Sequence, residues 1–184
     1  CLKSIYVPYA GIIDYVEVVE KLAKRFKEMN KKNRITKSSN VISIKNKNDK
    51  KIISTKDRNY STTFAIFVSG LQADNMALMD GLSINQRIVP FRGDYYNLTK
   101  SATHKVKGLI YPVPNINLPF LGVHLTKVFD GSVEAGPNAV FSFKKEGYRR
   151  TSFDFKDTIK SLSFLGVWKL FFSYWKIGLN EYIR

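Results

Sequence analysis

The sequence predicts an α+β (α/β) fold, and three observations carry that prediction. Residues 15–30 repeat apolar side chains at helical spacing. Residues 64–68 are apolar on both faces and run into a small-residue turn and a second helical stretch. From residue 84 onward, prolines and glycines cut the chain into short strands, which gives a mostly antiparallel sheet followed by C-terminal helices.

In the first helix Val18, Val19, Leu22, Ala23 and Phe26 alternate with Lys and Glu. Asp14 is placed to cap it, its carboxylate facing the free amides of the first turn, and Asn30 is a natural stop. Residues 40–44 read as a short strand, 45–51 as a polar turn, and 52–54 as the returning strand. Residues 64–68 read as a third strand, buried inside a layered sheet. Residues 71–79 then form a helix closed by Gly81. A buried strand, a small-residue turn and a helix make the shape that carries cofactors in α/β proteins. Further strands are expected at about 86–98, 104–112, 120–128, 131–136 and 138–143. Residues 157–182 read as two helices broken near Gly166. There is no internal repeat.

The 184 residues, 44% of them hydrophobic, suffice for one compact domain or two small lobes of a larger one. Thirty Lys and Arg against 15 Asp and Glu give a formal charge of +15. Such a balance raises nucleic acid or an anionic membrane surface as partner. No recognition-helix pattern, zinc spacing or RNA-binding aromatic motif accompanies it, so no nucleic-acid partner is expected. The densest basic tract, residues 45–58, reads as a solvated hairpin. The lone cysteine, Cys1, leaves no internal disulfide and no cysteine metal site, and two histidines are too few for a His-rich centre. No metal is expected, and a reducing, cytoplasmic setting is the default. No secretory pattern and no apolar run of membrane-spanning length is present. The chain starts at Cys1 rather than Met and stops in a helical stretch. Both ends read as cut, by trimming or by a split or truncated gene.

No Gly-rich phosphate loop of the G-x-G-x-x-G type occurs, and neither histidine has a G-x-S-x-G partner. Three clusters stand out. In Val89-Pro90-Phe91-Arg92-Gly93-Asp94-Tyr95-Tyr96, an arginine lies in an apolar strand. It needs an anion, either a ligand carboxylate or an Asp or Glu of this protein. In Leu109-Ile110-Tyr111-Pro112-Val113-Pro114, Tyr111 can point its phenol at a ligand or pack as a sheet aromatic. In Leu121-Gly122-Val123-His124-Leu125-Thr126, His124 sits between apolar neighbours, as a structural residue or a catalyst. Asp130-Gly131 is a hairpin signal. Gly136-Pro137-Asn138 reads as a rigid turn ending the return strand and suited to close approach by a flat ligand.

Taken in order and spacing, F-R-G-D-Y-Y, L-I-Y-P-V-P, L-P-F-L-G-V-H-L-T and D-G-S-V-E-A-G-P-N-A-V resemble the L-2-hydroxyglutarate oxidase/dehydrogenase family. That family belongs to the FAD-dependent oxidoreductases related to D-amino-acid and glycine oxidases. Val7-Pro8 with Gly11-Ile12-Ile13-Asp14-Tyr15 is similar to its V-P-x-x-G-I-V-D-Y segment. The stretch 155–184, with Trp168, Trp175 and Gly178-Leu179, is similar to its helical part. The resemblance covers essentially the whole chain.

It implies a partial FAD-binding domain over residues 1–83, a substrate-binding sheet over 84–155 and a helical segment over 156–184. FAD is the implied cofactor, with Val41 beside the adenine end and Ser69, Gly70 and Leu71 lining the channel. Arg92, Tyr111, His124 and Asn138 fall in strands that face the flavin and a 2-hydroxy acid substrate. The family's N-terminal Gly-rich unit and its C-terminal return to the flavin are absent, and its Cys-Ala-Gly reads Val68-Ser69-Gly70 here. The missing N- and C-terminal parts are therefore expected partners, and the isolated chain is expected to be inactive. By the same resemblance, the reaction of the complete protein would be hydride transfer from C2 of the hydroxy acid to the flavin. His124 would act as the base, since an imidazole takes up and returns a proton in the physiological range. Arg92 would hold a carboxylate. Two other readings stand beside this one. The first is a catalytically inactive fragment. The second is a module for anionic surfaces, peripheral on the inner face of the cell membrane, suggested by Trp168, Phe171, Phe172, Tyr174 and Trp175 beside Lys169 and Lys176.

Overall fold

A computed structural model describes residues 3–114, 116 and 122–183. It contains four helices and two three-stranded antiparallel sheets, an α+β architecture. The chain forms two compact units. One comprises Cys1–Asn30, Arg92–Val140 and Lys176–Arg184; the other comprises Lys31–Phe91 and Phe141–Trp175.

In the first unit, helix α1 spans Tyr15–Met29, as the periodicity predicts. Asp14 caps it, its Oδ1 accepting from the amides of Val16 (2.8 Å) and Glu17 (3.4 Å). Asn30 leaves the helix in an extended conformation. The helix buries none of its residues, and Val19 and Leu22 of its apolar stripe are exposed. The sheet of this unit has the order β4-β6-β5, with β4 at Phe91–Asn97, β5 at His124–Lys127 and β6 at Val133–Phe141. The β5–β6 hairpin turns at Asp130-Gly131 as expected, with Asp130 Oδ1 accepting from the Ser132 amide at 2.9 Å.

Three sequence expectations for this sheet change. The long strand at 86–98 shortens to β4. Residues 104–112 hold a 3-10 turn at Thr103–Lys105 and a single bridge from Ile110 to Leu125 instead of a strand. The expected strands 131–136 and 138–143 are one strand, β6, running straight through a cis Gly136-Pro137 bond. The pairing with β5 ends at Gly136, opposite His124, so the missing Pro137 amide breaks no bond in that ladder. The start of the expected strand at 120–128 lies outside the described residues.

Close approach fixes the β4–β6 contact. A Cβ on Gly136 would sit 2.7 Å from Cδ1 of Tyr95 and 2.9 Å from the Asp94 carbonyl oxygen. A Cβ on Gly93 would sit 2.8 Å from Pro137 Cβ. The small residues read from the sequence as a turn instead let two strands touch backbone to ring.

In the second unit, β1 (Val41–Lys47), β2 (Lys50–Thr55) and β3 (Asn59–Thr62) form a meander. The expected polar turn over 45–51 contracts to Asn48-Asp49. Both take positive φ (48° and 58°), the conformation of a two-residue hairpin that follows strand twist. The flanking lysines therefore become strand residues. One of them, Lys51, pairs with Asp80 at 2.5 Å. A 3-10 turn, Gly70–Gln72, leads into helix α2, Ala73–Met79. Helix α3 (Phe155–Leu162) is capped by Asp154, and α4 (Leu165–Ile183), of which residues up to Trp175 belong to this unit, follows after the expected break, with a non-helical residue at Tyr174. Trp168 Nε1 donates to the Leu162 carbonyl at 2.7 Å and ties α4 to the end of α3.

Residues 64–68 are the main departure. They belong to no helix or strand. Phe64, Ile66 and Val68 are 75%, 75% and 89% exposed, whereas Ala65 and Phe67 are half-buried. The apolar run is thus covered on one face only.

An aromatic cluster and a polar junction hold this unit together: Phe141 packs edge-on against Phe91, Phe143 and Phe171 with ring centroids 5.9, 5.1 and 5.3 Å away. Lys145 and Asp74 form an ion pair whose side chains are only 2% and 9% exposed. Asp74 also accepts from the amides of Ile88 (3.1 Å) and Asn75 (2.8 Å), and the Lys145 amide donates to Asp157 at 3.0 Å. Burial alone would push the Asp74 carboxyl up. The Lys145 hydrogen bond, the Ile88 amide, the Lys145 charge and the Asn75 amide outweigh it and hold Asp74 below the usual carboxylate range.

Replacing Lys145 with Met strands a buried carboxylate and should cost about 3–5 kcal/mol in urea unfolding, with the double variant Asp74→Leu/Lys145→Met losing less. Because the folded Asp74 value is depressed, its stabilisation is complete above the ordinary carboxylate range and disappears as pH falls through the lowered value. Asp74→Asn should therefore flatten the acid limb of a stability-versus-pH curve. Gly136→Ala, which forces a methyl against Tyr95 and the Asp94 carbonyl, should lower stability by about 1–3 kcal/mol, measured by thermal or urea melting.

Candidate functional site

The expected site residues fall into two groups, one in each unit. In the first unit, the bridge from Ile110 to Leu125 brings Tyr111 alongside β5, and Tyr111 and His124 stack with ring centroids 4.7 Å apart at 29°. His124 Nδ1 lies 3.3 Å from the Gly122 carbonyl oxygen, and if protonated there it donates to it. That hydrogen bond and the stack restrain the imidazole plane. Across the hairpin His124 pairs with Gly136, where the Tyr95 ring and the Asp94 carbonyl fill the place a side chain would take. Asn138, two residues further along β6, is buried.

Arg92 lies on β4. Its Nε and Nη2 donate to the two carboxylate oxygens of Asp94 at 2.6 and 3.3 Å, a two-pronged pair only 12% and 15% exposed. The Asp94 hydrogen bond, acting against the cost of burial, raises the Arg92 pKa above its ordinary value. Of the two sequence alternatives for this arginine, an internal acid is present. A ligand carboxylate would meet a guanidinium whose plane Asp94 has set.

The second unit contains a cleft of about 620 Å³, within the size range of small-molecule sites. Val41 and Ser69, both expected beside a cofactor, line it. Gly70 and Leu71 follow Ser69 into the 3-10 turn without being among the lining residues. Gly70 takes φ 51°, and a Cβ there would meet nothing within 4 Å, so backbone conformation rather than space calls for glycine. Met76, Leu78 and Met79 of α2 give the cleft an apolar side.

Its polar side was not foreseen. Gln72, Asn75, Glu146 and Lys160 all line it and are joined by hydrogen bonds of 3.0, 2.6 and 3.0 Å. Gln72 and Asn75 are three residues apart at the start of a helical turn, so sequence spacing could have put them on one face. Glu146 and Lys160 come from more than 70 residues further on, and no local pattern announces them. Among the described residues no group of three or more His, Cys, Asp or Glu could hold a metal ion, and no helix is long and apolar enough to cross a membrane.

An apolar methionine and valine lining beside amides, a carboxylate and an ammonium fits part of a nucleotide-type cofactor. Flat rings pack on the former, and hydroxyls or phosphate pair with the latter.

Comparison with known proteins agrees with this chemistry. The chain is 42% identical over 184 residues to the L-2-hydroxyglutarate dehydrogenase of Indibacter alkaliphilus, covering 100% of this chain and 46% of that protein. It is 39% identical over 181 residues to the L-2-hydroxyglutarate dehydrogenase of Escherichia coli K12, covering 98% and 42%. With the mitochondrial L-2-hydroxyglutarate dehydrogenase of Dictyostelium discoideum it shares 38% over 196 aligned positions, covering 100% and 44%. The chain thus spans less than half the length of these curated relatives. The sequence model described as FAD dependent oxidoreductase matches residues 1–163. With a matching segment of that extent, an α+β fold and a cleft of suitable chemistry, the chain belongs to the FAD dependent oxidoreductase family.

Proposed function

We propose that the chain is the central part of an FAD-dependent dehydrogenase that oxidises L-2-hydroxyglutarate to 2-oxoglutarate. The observation that carries this reading is the 42% identity extending over all 184 residues to a relative bearing that name. FAD, when bound, supplies the hydride acceptor. Val41 and Ser69, with Gly70 and Leu71 in the turn between them and α2, would hold part of it. His124 takes the proton of the C2 hydroxyl, its ring steadied by Tyr111 and the Gly122 carbonyl. Arg92, oriented by Asp94, holds a substrate carboxylate. Tyr111 and Asn138 complete the substrate face. The remaining polypeptide of the full-length protein, before and after these residues, supplies the rest of the flavin site.

Grafting this chain into the Indibacter alkaliphilus relative in place of its matching segment tests the reading. The hybrid should retain FAD and reduce a dye only when L-2-hydroxyglutarate is added, while the isolated chain should show no turnover. In the hybrid, His124→Ala should lower kcat by about 100-fold or more, measured by dye reduction at saturating substrate. Normal turnover by that variant would remove His124 as the base. A hybrid that folds and retains FAD yet oxidises no 2-hydroxy acid would favour the inactive-fragment reading.

A second reading concerns location rather than chemistry. Trp168, Phe172 and Trp175 on α4 are 44%, 76% and 59% exposed, with Lys169 among them. Aromatic rings beside a lysine suit the headgroup region of an anionic membrane, and a cytoplasmic protein so equipped would sit on the inner face of the cell membrane. The chain should sediment with vesicles containing anionic lipid at low salt. Trp168→Ala/Phe172→Ala should reduce the bound fraction severalfold, and sedimentation indifferent to lipid would exclude the reading.

A further inference from the structure

The cleft of the second unit carries a feature that the flavin reading does not use. Lys160 Nζ donates to Asn75 Oδ1 (3.0 Å), Asn75 Nδ2 donates to Gln72 Oε1 (2.6 Å), and Gln72 Nε2 donates to Glu146 Oε1 (3.0 Å). Each amide accepts from the ammonium side and donates toward the carboxylate side, so the whole chain is oriented in one sense, and such chains polarise cooperatively. The two amides in the middle are half-buried, and the two charged ends are exposed. An exposed lysine and glutamate would ordinarily meet in a direct pair of little net value or wander in water. Here two amides hold them apart at separate points on the wall of one cleft, each with hydrogen-bonding capacity to spare: a lysine ammonium has three donors and a carboxylate about four acceptor sites.

We infer that Glu146 and Lys160 are ligand-positioning residues of this cleft, the carboxylate accepting from hydroxyls and the ammonium pairing with a phosphate. The ligand class is a sugar or polyol joined to a phosphate. This inference rests on the cleft being part of the FAD site, and it adds two residues contributed by the turn before α3 and by α3 itself. Both halves of FAD carry the chemistry: the ribose phosphate of the ADP half and the ribityl phosphate of the FMN half.

Amide NMR titration of the 184-residue chain with FAD, ADP, adenosine, FMN and riboflavin separates these. FAD and one of the two phosphorylated halves should shift Gln72 and Asn75, with dissociation constants of about 1 mM or tighter; which half does so identifies the source. Lys160→Met should weaken the phosphorylated half about tenfold and leave its dephosphorylated counterpart unchanged. Lys160→Arg should restore the affinity. Glu146→Gln, which keeps an acceptor for Gln72, should weaken phosphorylated and dephosphorylated forms alike by about fivefold. Circular dichroism melting of each variant checks that the fold is intact. If FAD binds but Lys160→Met weakens ADP and adenosine equally, or neither variant changes affinity, the inference fails and the flavin reading of the cleft survives. If FAD, ADP and FMN all leave the spectrum of the wild-type chain unchanged, both fail together.

Discussion

The buried pair of Asp74 and Lys145 is the constraint on which the second unit depends. Its apolar packing is an edge-on aromatic run through Phe91, Phe141, Phe143, Phe171 and Trp168, with Ile44 and Val167 its buried hydrophobic residues, and the ion pair is the polar tie beside it. Asp74 gathers the amides of Asn75 and Ile88, and the residue that neutralises it anchors its own backbone on Asp157, near the start of α3. Three stretches distant in sequence therefore meet around one carboxylate. A charge so enclosed is costly to leave without its partner, which makes the arrangement close to all-or-none.

The cleft follows from that junction. Gln72 and Asn75 flank Asp74 on one side, and Glu146 directly follows Lys145 on the other. Once the ion pair closes, the amides and the carboxylate have little choice but to face each other. Lys160, one turn beyond Asp157 on α3, completes the wall. The electrostatics that hold the fold and the groups that can recognise a ligand are thus neighbours in sequence, residue by residue.

How much of this the sequence could reveal depends on the range of the interactions. Asp14 capping α1, the Asp130-Gly131 hairpin and the break before α4 rest on contacts within a few residues, and each is legible from residue type and spacing. Tyr111, His124 and Asn138 stood out as types and positions, but the stacking of Tyr111 on His124 needs the bridge from Ile110 to Leu125, which no spacing rule supplies. Arg92 pairs with an aspartate two residues away, so its internal partner lies within reach of a local reading. Lys145 could not be read at all: in a chain with 30 basic residues nothing separates the one that is buried from those that are solvated. Gly136-Pro137 misled because turn chemistry and close strand contact call for the same small residues.

The open alternation at residues 64–68 has a practical consequence. A segment with Phe64, Ile66 and Val68 exposed, no charge of its own and no proline has the composition of an association-prone stretch. The formal charge of +15 opposes such clustering by mutual repulsion. Repulsion of that kind is screened by salt, over a Debye length of about 10 Å at 0.1 M. The same salt that weakens this repulsion leaves the apolar face unchanged, so ionic strength shifts the balance between the two.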